Sequence, residues 1–123
     1  MPDWVTFEGE FMKLDPIMAA RETFSDLPQE EAEKWAHVFR KHSAASFGTE
    51  LQYPAYRYIP STYILAENDK IVGPDEQQRM IDVAREDNET PIKIVKLQSG
   101  HAPIVSQTEK VVDAIREAAA EKF

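Results

Sequence analysis

Two short runs rich in β-branched and aromatic residues, Ser61-Thr62-Tyr63-Ile64-Leu65-Ala66 and Ile92-Lys93-Ile94-Val95-Lys96-Leu97, flank a stretch that reads as helix. That order leaves few folds open. A strand, a crossover helix and a second strand make a parallel pair, right-handed by default. Glu67-Asn68-Asp69-Lys70 is the polar exit of the first strand. Gly73-Pro74-Asp75 then opens the helix, with Met80, Ile81 and Ala84 expected inward. The second strand is expected over residues 91–97. Ser106 and Glu109 have capping-box spacing for a last helix, whose inner face reads as Val111, Val112, Ile115 and Ala119. The class is α/β, with a short parallel sheet of two to three strands.

Upstream of residue 55 the chain reads as helix and loop. The clearest helix is expected over residues 28–41, where Pro28 suits a first helical position and Glu30, Glu31 and Glu33 complement the positive end of the dipole. Ala32, Trp35, Val38 and Phe39 fall on one stripe. A shorter helix is expected around residues 16–21. Trp4-Val5-Thr6-Phe7 is a candidate third strand for the sheet. The chain divides at the composition shift into residues 1–56 and residues 57–123, within one structural domain.

Charge and composition exclude several classes of function. A net charge of −8 argues against nucleic acid or an anionic membrane as partner, since both call for a positive surface. No cysteine is present, which removes disulfides, thiolate metal sites and cysteine nucleophiles. No run reaches the roughly 20 apolar residues of a membrane helix, and Asp3 and Glu8 do not fit a signal peptide. The expected location is cytoplasmic. His37 and His42 are five apart, not the i, i+4 of a helical metal pair, so no metal and no cofactor is expected.

In an open parallel sheet, sites form beyond the carboxyl ends of the strands. Asp69 follows the first strand, and His101 follows the second in Ser99-Gly100-His101-Ala102-Pro103. Neighbouring strands bring the two side chains to one rim. There a carboxylate accepting from an imidazole N–H fixes the tautomer a general base needs. Spacing alone leaves the plainer alternative open, with Asp69 a solvated loop acid and His101 a capping or packing residue. Trp35 and Phe39 read first as core of the helical segment, and second as the lining of a substrate pocket.

"IPSTYILAENDKIVGPDEQQRMI" followed by "LQSGHAPIVSQTEKVVDAI" resembles the C-terminal part of an α/β-hydrolase, in the esterase and hydroxynitrile-lyase branch. The resemblance covers residues 58–120, and it places the triad acid at Asp69 and the triad base at His101. Residues 4–56, above all "FSDLPQEEAEKWAHVFRKHSAASFGTEL", are similar to the variable cap over the pocket of that family. The implied architecture is a truncated α/β-hydrolase fold. Residues 1–56 form a cap-like helical segment, and residues 57–123 form the βαβα part of the core.

The family's nucleophile serine sits in Gly-x-Ser-x-Gly, and this chain has no such motif. Ser43 and Ser46 follow a helix, not the strand an elbow needs. Two functions follow. In one, His101 oriented by Asp69 performs acid/base chemistry on a small apolar substrate, or the chain is the C-terminal half of a split esterase. In the other, it is a non-catalytic relative that binds an apolar ligand or a partner protein. A two-stranded sheet with open edges also predicts a homodimer or a complex with an N-terminal hydrolase half.

Overall fold

The computed structural model describes residues 3–86 and 88–120. Residue 87 and the extreme ends of the two expected segments, residues 1–2 and 121–123, lie outside them. The chain forms two compact units, Met1–Gln52 and Tyr53–Phe123.

The first unit opens with a hairpin, where the sequence offers Trp4-Val5-Thr6-Phe7 only as a third strand of the parallel sheet. Strands β1 (Val5–Glu8) and β2 (Phe11–Leu14) pair antiparallel, from Val5 opposite Leu14 to Glu8 opposite Phe11. The two-residue turn needs Gly9, whose φ of 63° is costly for any residue with a Cβ. Val5–Glu8 therefore belongs to this separate sheet, and the parallel sheet gains no third strand from it. Helix α1 (Pro16–Thr23) follows, with Asp15 accepting from the Met18 N–H at 2.9 Å and Pro16 at the start.

Helix α2 (Gln29–His37) packs on α1 through small residues: Ala19 and Ala20 face Ala32 and Ala36, all buried. This corrects the expected stripe, because Trp35, Val38 and Phe39 are all exposed. It also corrects the helix end, placed at residue 41. The chain must leave the helix early to pair His42 with Met12 in the two-residue strand β3 (His42–Ser43), with Lys41 bonded to Glu8 at 2.7 Å. Cross-strand pairing outweighs helix propensity there.

The second unit is built on β4 (Ser61–Ala66) and β5 (Ile92–Leu97), parallel in register from Ser61 opposite Ile92 to Ala66 opposite Leu97. Helix α3 (Pro74–Glu86) covers one face, where Leu65, Ile81 and Ile92 form the core and Tyr63, Ala84 and Ile94 pack against it. The short α4 (Pro103–Ser106) and then α5 (Thr108–Ala120) return the chain. Along the other face, Ala114, Ile115 and Ala118 line a groove with Thr62 and Ile64, and Lys93 meets Glu117 at 2.6 Å.

Four inward assignments and one capping assignment change. Met80 is 51% exposed, and the buried position on the first turns of α3 belongs to Gln77. On α5 the buried residues are Val111 and Ala114, while Val112, Ile115 and Ala119 lie exposed. Ser106 caps nothing: it closes α4, which Pro103 starts early, and α5 begins only at Thr108 after Gln107 breaks the helix.

Candidate active site

The parallel ladder does not stop where the strands do. Glu67 N–H donates to Leu97 C=O at 2.9 Å, and Asn68 N–H donates to Ser99 C=O at 3.0 Å. Two more rungs thus carry the exit loops side by side, so that Asp69 and His101 leave the sheet at the same level. The Asp69 N–H closes a turn onto Ala66 C=O at 3.4 Å.

The Asp69 carboxylate is almost fully buried, with its side chain 6% exposed. Its Oδ1 accepts from the Ile71 N–H at 2.8 Å and the Val72 N–H at 3.1 Å, the local geometry that aspartate favours in turns. The remaining direction faces His101, whose Nδ1 lies 3.1 Å from Oδ1 and 2.9 Å from Oδ2. A carboxylate can only accept, so Nδ1 carries the proton and Nε2 is left with its lone pair. Nε2 makes no hydrogen bond to any described residue, and the histidine side chain is 37% exposed. An oriented imidazole with an open basic nitrogen can take a proton from one oxygen and pass it to another.

The charge of Asp69 is felt inside the unit as well. Burial first, and the Asp69 carboxylate second, push the Tyr63 phenol above its ordinary value of 10.0.

The residue that the sequence reading misses is Gln77, 3% exposed on α3. Its Oε1 accepts from Ala66 N–H at 3.0 Å, and its Nε2 donates to Ala66 C=O at 3.0 Å and to Val72 C=O at 2.7 Å. One signal was available: Gln77, Ile81 and Ala84 share helical spacing, which puts a polar residue in an apolar stripe.

Trp35 and Phe39 belong to the first unit, and Asp69 and His101 to the second. Trp35, 42% exposed, lines a surface depression with Pro28, Lys34 and Val38. Phe39, 40% exposed, stacks on Phe24 with ring centroids 5.5 Å apart. His37 and His42 have protein partners of their own, Glu33 C=O at 2.7 Å and Ser46 Oγ at 2.8 Å. Among the described residues no group of three His, Cys, Asp or Glu side chains is placed to hold a metal, and no helix is long and apolar enough to cross a membrane.

No protein-family model matches the sequence. Two curated proteins do. The chain is similar to a probable hydrolase, R7, of a Phoma species, with 35% identity over 89% of this chain and 45% of that protein. It is also similar to the α/β hydrolase nvfD of Aspergillus novofumigatus, with 33% identity over 93% of this chain and 44% of that protein. The chain thus spans a little under half the length of these relatives. Among solved structures, a pyrethroid hydrolase from Sphingobium faniae matches 98% of this chain with 49% of its own, at a TM-score of 0.73 and 26% identity. A structure of the pyrethroid hydrolase PytH with BIF matches over the same shares, at a TM-score of 0.75 and 26% identity. The chain is similar to α/β-hydrolases, and its fold matches a part of theirs that amounts to about half of their length.

Proposed function

We propose that Asp69 and His101 are the acid and base of an ester-hydrolysing site whose nucleophile comes from an N-terminal hydrolase segment outside these 123 residues. One observation carries the reading: His101 Nδ1 is held by both oxygens of a buried carboxylate, while Nε2 stands open. In that site Nε2 takes the proton of a serine hydroxyl as its oxygen attacks the ester carbonyl. The imidazolium formed, stabilised by Asp69, gives the proton to the leaving alcohol oxygen as the ester C–O bond breaks. Water then repeats the sequence on the acyl-serine.

Trp35 and Phe39, exposed apolar side chains of the first unit, are the proposed substrate-binding residues for a small, largely apolar ester. The relatives support a hydrolase, and the pyrethroid hydrolase neighbours support an apolar substrate. No cofactor or metal enters this chemistry, and the cytoplasm is the proposed location. A homodimer, or a complex with the N-terminal half, covers the open sheet edge. The absence of Gly-x-Ser-x-Gly from the sequence favours a second reading, in which the chain alone binds an apolar ligand or partner without turnover.

The test uses p-nitrophenyl esters and a fluorophosphonate probe. The chain alone is expected to give neither turnover nor labelling. Co-expression with an N-terminal half from a hydrolase relative is expected to give both, with the label on that half. Labelling of a serine in this chain, or a reconstituted enzyme equally active after His101→Ala, would sink the proposal.

A further inference from the structure

We propose that Gln77 is the positioning residue of the acid-bearing loop, fixing where the Asp69 carboxylate sits and so where His101 points. This rests on reading Asp69 and His101 as the acid and base pair. Gln77 commits its oxygen and both amide protons to two residues. Oε1 and one Nε2 proton pair with the N–H and C=O of Ala66, and the other Nε2 proton goes to Val72 C=O. Ala66 is the last residue of β4, and Val72 closes the loop that carries Asp69. One buried side chain therefore holds both ends of the segment over residues 67–72.

The Ala66 contact has the form of a strand pair. Ser61 and Glu67 direct their N–H groups to the β5 side, onto Pro91 C=O and Leu97 C=O. Strand groups alternate in direction, so Thr62, Ile64 and Ala66 face the free edge. Gln77 stands at that edge and supplies the two bonds a neighbouring strand would supply. Its own backbone is anchored by the Gln77 N–H to Gly73 C=O bond at 3.0 Å, the first of α3.

Val72 is the link to the carboxylate. Its C=O is held by Gln77, and its N–H donates to Asp69 Oδ1. Releasing the C=O frees the Val72–Gly73 peptide, and with it the Val72 φ and ψ that help hold the preceding Ile71–Val72 peptide, whose N–H orients the carboxylate. An unpaired buried amide is costly, so glutamine belongs here only with its three bonds made.

The experiment is an NMR comparison of the whole chain with Gln77→Leu and Gln77→Glu. In the leucine variant the amides of Ile71 and Val72 are expected to exchange at least about ten-fold faster, the factor for one lost net hydrogen bond. The His101 Nδ1–H signal is expected to broaden, while the Leu65 amide, inside the β4–β5 ladder, keeps its protection. Gln77→Glu keeps the acceptor for Ala66 N–H but loses both donors, so it is expected to protect Ala66 and not Val72. A leucine variant with unchanged loop exchange and an unchanged His101 signal overturns the proposal. If that variant does not fold, the unaltered chain decides, since Gln77 side-chain protons exchanging at the rate of a free amide also overturn it. Failure of the acid/base reading appears elsewhere: the His101 signal responds to Gln77→Leu, yet His101→Ala leaves reconstituted turnover intact.

Discussion

Asp69 gives both oxygens to His101 Nδ1, at 3.1 and 2.9 Å, while Oδ1 is also committed to the Ile71 and Val72 N–H groups. Asp69→Asn therefore has only one way to fit. The amide oxygen must stay with the two backbone donors, which turns the NH2 group toward Nδ1. The imidazole then has to accept at Nδ1 and carry its proton on Nε2, the wrong tautomer for a base. Nitrogen-15 shifts of the His101 ring should report the exchange of protonated and bare nitrogens. A ring that keeps its proton on Nδ1 in the variant would contradict the orientation described here.

Tyr63 offers a second test, with its sign fixed by cause. Burial and the Asp69 charge both disfavour the phenolate, so the folded-state value lies above 10.0. The associated stability is present below pH 10 and is lost as pH rises through the folded value. The tyrosinate absorbance that disappears in Tyr63→Phe should rise only above that pH. In Asp69→Asn the same component should move down, but not fully, because burial remains the larger cause. An unmoved component would separate Tyr63 from the Asp69 field.

Two adjacent residues on α3 should differ sharply. Ile81 is 1% exposed in the β4–β5 core, whereas Met80 is 51% exposed. Ile81→Ala is expected to cost about 2–5 kcal/mol in urea unfolding. Met80→Ala should stay within about 0.5 kcal/mol. Equal costs would mean that α3 is rotated about its axis from the orientation seen here.

Among the described residues, no strand lies beside the outward N–H and C=O groups of Thr62 and Ile64, next to the groove lined by Ala114, Ile115 and Ala118. The chain is expected to sediment above its 14.1 kDa monomer mass at micromolar concentration. Thr62→Pro, which deletes one outward donor at an edge that tolerates proline, should shift it toward monomer. A folded monomer across that range in the unaltered chain would refute edge pairing.

The strand–helix–strand core was legible because Ser61–Ala66 and Ile92–Leu97 are β-rich and Pro74 marks the helix start. The strand ends put Asp69 and His101 in loops that could meet at one rim, and the resemblance to the α/β-hydrolases was needed to pair them as acid and base. The hairpin was not legible: its Gly9-Glu10 turn lacks an Asn-Gly or Asp-Gly signal, and only Met12 in its two strands is buried. Apolar residues were assigned inward on the assumption that every apolar face has a partner. With two strands in the sheet, Ile115 on α5 lies beyond reach of the core, and Ala114 does the packing. Gln77 hid in the polar run Asp75-Glu76-Gln77-Gln78-Arg79, where nothing but helical phase sets it apart.

The two rungs beyond the strand ends, Glu67 to Leu97 and Asn68 to Ser99, make the site a matter of counting. Each residue of slippage between β4 and β5 would displace Asp69 along the sheet by about 3.3 Å relative to His101, more than a hydrogen bond can span. Inserting or deleting one residue inside either strand would therefore unmake the pair, even with every side chain retained. The connection between the strands carries no such arithmetic on the side of β5. Extra residues after α3 would lengthen the crossover and leave both strand ends, and the turn holding Asp69, in the same alignment. Length variation in this unit is thus tolerable at one end of the sheet and forbidden along it.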